Sequence, residues 1–194
     1  MTTLRERNRQ RTRKDIVTAA LALFIEQGYE ATTVDQIAKG AGVSPATLFR
    51  HFPSKEDVLF GDEDNSAAAM VQHVAERSDR SITVAALAEP VARFAADLQG
   101  EDTPRLTHLV MTNRSLEARS LRMRLRWERD IARQLAAEQD FTSPTLDHTL
   151  IASIAVSCLS TALRYWDKSN ASIRLADLVN EAFDRCAHLP PDTV

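Results

Sequence analysis

The sequence predicts an all-α chain with an N-terminal three-helix helix-turn-helix unit and a larger C-terminal helical body. Three observations predict it. Apolar residues recur at steps of three and four along most of the chain, and no stretch alternates as a strand would. Two short segments between 33 and 60 each open on a helix-capping pattern and meet across Gly42. Most prolines and glycines fall between the periodic segments, where helices have to stop.

The chain opens on a basic stretch. Residues 1–14 carry six basic side chains (Arg5, Arg7, Arg9, Arg11, Arg13, Lys14) against one acidic, Glu6, although the 194-residue chain has a formal net charge of −3. Residues 61–194 carry fifteen basic and twenty acidic side chains, so the charge is segregated. The stretch is read either as an arm that neutralises phosphates or as a solvated tail.

Asp15 to Gln27 is the first predicted helix, with Ile16, Ala20, Leu23 and Phe24 at helical spacing and Gly28 as its stop. Thr33 and Gln36 form a capping box for the second, whose buried face is Val34, Ile37, Ala38 and Ala41. Gly42 then supplies the left-handed residue of a sharp turn. Ser44 caps the third helix and Pro45 takes its first position. That helix ends by Phe52, because Pro53 disfavours helical geometry in the residue before it. Val43, Leu48 and Phe52 face the core, leaving Pro45, Ala46, Thr47, Phe49, Arg50 and His51 outward. Two short helices with a glycine in the turn form the unit that lays its second helix in the DNA major groove.

The segment TTVDQIAKGAGVSPATLFRHFPSKEDVL resembles the DNA-binding domain of TetR-family transcriptional regulators, over roughly residues 10–60. The resemblance implies a DNA-binding domain at 1–55, an effector-binding and dimerisation domain at 56–194, and a homodimer on a palindromic double-stranded DNA operator. It implies that Pro45, Ala46, Thr47 and Arg50 face base edges, while Thr33, Ser44, His51 and Lys55 hold phosphates. The pattern departs at Phe49, where most members carry a tyrosine whose hydroxyl touches a phosphate.

From Lys55 a helix is expected to run through Met70, Val71 and Val74 towards Arg77, with GDEDNS (61–66) as its weak point. Further helices are expected over 82–98, with Pro90 starting or kinking it, and over 105–116, 117–139, 144–167 and 172–188, with Pro190-Pro191 beyond the last. The segment from Leu150 to Leu163 is apolar or small all round and so is expected to be buried on several sides. In TetR-like proteins the last two helices form a four-helix dimer interface, and these two fit that pattern.

Composition sets the class: 44% hydrophobic and 26% charged residues describe a globular chain. No apolar run is expected to span a bilayer, no signal-peptide layout opens the chain, and no membrane partner is expected. Cys158 and Cys186 read as small buried hydrophobes in a reducing cytoplasm rather than as a redox sensor. Phosphate-binding glycine loops, HExxH, CxxC and GxSxG are all missing, and the five histidines show no metal-ligand spacing. No enzyme activity, cofactor or metal is therefore expected. A small helical enzyme or a structural adaptor is the competing reading, and the helix-turn-helix with its basic stretch argues against both.

A second resemblance, over residues 106–138 and the last two helices, is to TetR-like domains that accept acyl-CoA-like effectors. It implies a repressor released by a small hydrophobic ligand. Arg119, Arg122, Arg126, Arg129 and Arg133 alternate steps of three and four and share one helical face. Leu116, Met123, Trp127, Ile131 and Leu135 share another. An acyl chain would lie against Met123 and Trp127, with nucleotide phosphates on Arg122 and Arg126; the alternative is a solvated arginine face partly neutralised by Glu128 and Asp130.

Overall fold

The computed structural model describes residues 4–60, 63–100, 102–169 and 171–188, which are helical with no strand among them. Helix α1, Leu4–Gln27, buries Ile16, Ala20 and Phe24 and stops at Gly28, whose φ of +86° is the left-handed conformation that glycine accepts without strain. It begins eleven residues before the expected Asp15. The apolar stripe does start at Ile16, but Arg, Lys, Gln and Glu are good helix formers, and nothing between 4 and 14 breaks the helix. The basic stretch is thus helical from Leu4, while residues 1–3 lie outside the described part.

Helix α2, Val34–Gly40, opens on the expected capping box: Thr33 accepts from the Gln36 backbone and Gln36 accepts from the Thr33 N–H at 2.8 Å. Gly42, at φ +66°, makes the turn. Helix α3, Pro45–His51, has Ser44 accepting from the Thr47 N–H and ends at an extended Phe52 before Pro53. Helix α4, Lys55–Phe60, starts behind Ser54, whose hydroxyl accepts from the Asp57 N–H at 3.2 Å. These four helices and Tyr29 enclose one core, built on Ile16, Phe24, Ile37, Leu48, Phe52 and Val58.

The long helix expected from Lys55 is described as two, α4 and α5 (Glu63–Ala75); Gly61 and Asp62 at the expected weak point lie outside the described residues. A single 3-10 turn at Ala85–Leu87 leads into α6, Ala88–Leu98. Pro90 therefore sits in the first turn of α6, where a missing N–H costs nothing, and starts the helix without kinking it. Helix α7, Thr103–Thr112, takes Pro104 in its own first turn. The joint before α8, Arg114–Ala137, falls at Asn113 instead of between 116 and 117, because the Asn113 side chain caps the Ser115 and Leu116 N–H groups. Helices α9, Leu146–Lys168, and α10, Leu175–Ala187, end the described chain, and Pro190-Pro191 lie beyond it. Thr145 and His148 form a further capping box, at the start of α9, which the sequence expectations do not include.

A second, larger core gathers α5, α6, α8, α9 and α10 around Met70, Phe94, Trp127, Leu135, Trp166 and Phe183. Leu116 of α8 belongs instead to the first core, and Leu109 and Val110 of α7 pack on it, so the two cores meet along α7 and the start of α8. Contrary to expectation, α9 is long and apolar enough to cross a membrane by length and composition. It is a core helix here: Ala152, Ala155, Val156, Leu159 and Ala162 are buried against α8 and α10. It is not buried all round, because Leu146, Leu150 and Tyr165 lie exposed on a separate stripe.

Candidate nucleic-acid interface

The exposed side of α3 is held by short-range chemistry at its start and long-range chemistry at its end. Ser44 caps the helix and its hydroxyl also donates to Thr47 Oγ1 at 3.0 Å. At the other end, Arg13 of α1 donates to the His51 carbonyl at 3.2 Å, and its guanidinium lies 4.2 Å from the centre of the Phe52 ring. Leu48 is fully buried, which fixes the rotation of the helix about its axis. Pro45, Ala46, Phe49 and Arg50 are left exposed, Thr47 and His51 half-buried, and Thr33 exposed at the start of α2. The expected DNA-facing side chains are thus exposed or half-buried, and none is bound to a distant acceptor, with one exception.

That exception is Lys55. Its ammonium donates to the Tyr29 carbonyl at 2.9 Å and the Thr32 carbonyl at 3.3 Å, and sits 4.0 Å from the centre of the Tyr29 ring. Lys55 closes the α1–α2 connection onto α4, whereas the family resemblance implies a phosphate contact for it. The carbonyls following Gly28 point back towards α4, and no local sequence signal announces that.

His51 stands in a positive field. Its ring titrates below the ordinary histidine value, first because burial disfavours the charged form and then because Arg50, Arg9 and Arg13 surround it. The neutral form of the imidazole is therefore favoured.

The residues expected to meet an effector are placed differently from one another. Trp127 is buried in the larger core, edge-on to Phe94 at 5.4 Å, and Phe94 is edge-on to His73 at 6.1 Å. Its indole nitrogen is buried without an acceptor, whereas the Trp166 nitrogen donates to the Ile173 carbonyl at 2.7 Å. Met123 is half-buried against the same core. Arg122 is exposed, Arg126 and Arg133 both pair with Asp130, at 3.5 and 3.2 Å, and Arg119 is bound to Asp57. Glu128 accepts from Ser153 at 3.0 Å.

Cavities beside the larger core lie elsewhere. One of about 370 Å³ is walled by Phe24, Pro104, His108, Leu109 and Asp167, and one of about 260 Å³ by Thr161, Tyr165, Ile173, Leu178 and Arg185. Cys158 is buried and its thiol is pushed up to about 11, by burial and then by Cys186 beside it. Among the described residues no three His, Cys, Asp or Glu side chains form a metal-holding group.

Comparison with known proteins supplies the family context. Residues 16–60 match the family described as bacterial regulatory proteins, tetR family, and residues 79–189 match the MftR C-terminal domain. Over 144 residues the chain is 37% identical to the HTH-type transcriptional regulator TcmR of Streptomyces glaucescens, covering 70% of this chain and 64% of that regulator. Over 186 residues it is 27% identical to the putative mycofactocin biosynthesis transcriptional regulator MftR of Mycobacterium tuberculosis, covering 92% and 90% of the two chains. Among solved structures, the fold is similar to that of FadR from Bacillus subtilis in complex with stearoyl-CoA, with a TM-score of 0.61, 21% identity, and coverage of 89% and 96%.

Proposed function

The chain belongs to the TetR family of bacterial transcriptional regulators, with a C-terminal domain of the MftR type, and we propose that it is a ligand-released repressor acting as a homodimer. One observation carries the DNA-reading part: α3 stands exposed along Pro45, Ala46 and Arg50 while Ser44, Leu48 and Arg13 fix its position. In this reading residues 1–55 bind DNA and 56–194 bind effector and partner, in the cytoplasm, without enzymatic chemistry.

Arg50 reads guanine through paired donors, Pro45 and Ala46 suit a thymine methyl, and Thr47 completes the base-facing set. Thr33, Ser44 and His51 take phosphates. The dimer is assigned to α9 and α10, and it is supported by the exposed apolar side chains of Leu146, Leu150 and Tyr165 on α9 and of Ile173 in the connection to α10. A two-fold dimer matches a pseudo-palindromic operator with half-sites about 34–36 Å apart.

The effector is a small hydrophobe that opens the larger core beside Met123 and Trp127. The unpartnered Trp127 nitrogen supports this, since a buried donor without an acceptor carries a cost that a ligand acceptor removes. An acyl-CoA is one candidate, in line with the stearoyl-CoA named for FadR. Its chain would enter the core, and its phosphates would meet Arg122 and Arg126 at the surface. The ligand need only prefer the non-binding conformation, and about 1–3 kcal/mol of coupling then releases DNA.

The test is selection of duplexes from a randomised library by the full-length protein, followed by titration of the selected duplex with long-chain acyl-CoA, free fatty acid and CoA. Enrichment of a two-fold symmetric sequence supports the reading, and failure to enrich any sequence overturns it. If the duplex is bound but acyl-CoA neither releases it nor stabilises the protein, the effector is a different hydrophobe.

A further inference from the structure

Helix α1 extends well beyond the core that seats it. Ile16, Ala20 and Phe24 form its buried stripe, and the same stripe continues back through Arg13, Arg9 and Arg5 at steps of three and four. The inward-turned face of the overhang is therefore basic where the rest is apolar. Residues 4–11 are all exposed. At 1.5 Å per residue, Leu4 to Thr12 projects about 12 Å.

This overhang does not point away from the unit. Arg5, Asn8, Arg9 and Thr12, at i, i+3, i+4 and i+7, face the C-terminal end of α3, where with Glu6, Arg50 and His51 they bound a cleft of about 830 Å³. Arg13 at its base is tied to the His51 carbonyl and the Phe52 ring, so the two walls are fixed to one another. Three guanidinium groups stand against the one carboxylate of Glu6. The field is independently visible in His51, from which Arg50, Arg9 and Arg13 help to repel a proton.

We propose that this cleft binds the sugar–phosphate backbone of DNA flanking the base-contacted half-site, with Arg5 and Arg9 as phosphate ligands and Asn8 and Thr12 as neutral donors. Guanidinium groups pair bidentately with phosphate oxygens, and such contacts fix register without reading sequence. An overhang of about 12 Å matches the axial rise of three to four nucleotides on one strand, about 3.4 Å each. Because the segment is already helical, it does not have to be ordered on binding as a disordered tail would. The site rests on the DNA-binding reading above and deepens it.

The test compares two full-length double variants of equal charge. R5Q/R9Q removes the cleft arginines, and R7Q/R11Q removes two exposed arginines that do not line it. Affinity is measured against salt, on the duplex selected by the wild-type protein and on a random duplex of the same length. R5Q/R9Q is expected to lower affinity on both duplexes by at least about tenfold at 0.15 M salt, and to reduce the log–log salt slope by about two per half-site. R7Q/R11Q should lower the slope by less than half as much, and E6Q should raise affinity on both duplexes. Circular dichroism of each variant reports whether α1 stays helical. Equal losses from the two pairs, or an unchanged slope in R5Q/R9Q, overturn the proposal while leaving the DNA-binding reading in place. If the wild-type protein binds no duplex selectively, the reading itself fails and the cleft site falls with it.

Discussion

Arg119, near the start of α8, donates to the carboxylate of Asp57 in α4, sixty-two positions earlier in the chain. The same carboxylate accepts from Ser54 Oγ at 2.7 Å, so a single side chain starts α4 and fastens it to α8. Arg119 and Asp57 are about one-fifth exposed each, which places the pair between a solvated and a buried ion pair.

Breaking this link should therefore cost more than a surface pair. D57N and R119Q are each expected to destabilise the protein by about 1–2 kcal/mol, between the values for exposed and buried pairs. A double-mutant cycle by urea unfolding should return a coupling of about 1 kcal/mol or more. In the proposed function both variants also blunt effector release, because α4 joins the DNA-reading unit to the larger core. Strictly additive effects would show that the contact carries no coupling.

Arg50 and Lys55 are both basic and only five positions apart, yet they should behave oppositely. R50A is expected to leave stability unchanged while costing about 1–3 kcal/mol of operator affinity and relaxing selection at one position per half-site. K55M removes the group that holds the Tyr29 and Thr32 carbonyls, so it should lower the melting temperature. Its operator affinity measured well below that temperature should stay near wild type. A large loss of DNA binding in a fully folded K55M would return Lys55 to the phosphate-contacting set.

Stability and DNA affinity should respond to acid in opposite directions through His51. The folded ring has a pKa below the ordinary 6.5, so the unfolded chain takes up its proton first. Folding stability from this group is consequently full above about pH 6.5 and declines as pH falls through that value. A phosphate beside the ring favours the charged form, so DNA binding takes up a proton and operator affinity rises over the same fall in pH. H51Q should flatten both profiles, measured by thermal melts and by titration from pH 7.5 to 5.5. A wild-type affinity independent of pH across that range would remove His51 from the phosphate contacts.

Arg77 and Glu138 close the far end of the larger core. Arg77 is buried, its Nη2 lies 2.7 Å from Glu138 Oε2, and it also donates to the Val74 carbonyl at 2.8 Å. Burial alone would raise the Glu138 pKa, but hydrogen bonds from Arg77 and Gln134 and the charges of Arg77 and Arg80 hold it below the usual carboxylate value. Its contribution is thus present above about pH 4.5 and lost as the pH falls through the lowered value. E138Q should cost about 3 kcal/mol at pH 7, because it leaves the Arg77 charge buried and uncompensated, and the loss should shrink towards pH 3. An equal loss at both pH values would mean that packing, not charge, holds this corner.

The helix-turn-helix was legible because its signals are local. Thr33 with Gln36, Gly42, and Ser44 with Pro45 each act over three or four residues, and each is found in the structure doing what its spacing implies. Where one local signal was read without its competitor, the boundary moved. The apolar stripe marks only where α1 becomes buried, at Ile16, while helix propensity carries it back to Leu4, and the Asn113 cap sets the start of α8.

Capping and periodicity are properties of neighbouring residues, so the all-α class, the helix-turn-helix and the outward side chains of its second helix were all readable along the chain. Packing, by contrast, sets which distant partner a charged side chain takes. Lys55 faces two carbonyls, Arg119 faces Asp57 and Arg13 faces the end of α3, whereas Arg126 and Arg133 meet Asp130 of their own helix, as their spacing implies. A long flexible cation reaches whatever acceptor the fold brings within a few ångströms, and that acceptor lies 26 positions away for Lys55, 38 for Arg13 and 62 for Arg119. Spacing along a helix places a charge on a face, while the packing of other helices supplies the group it meets there.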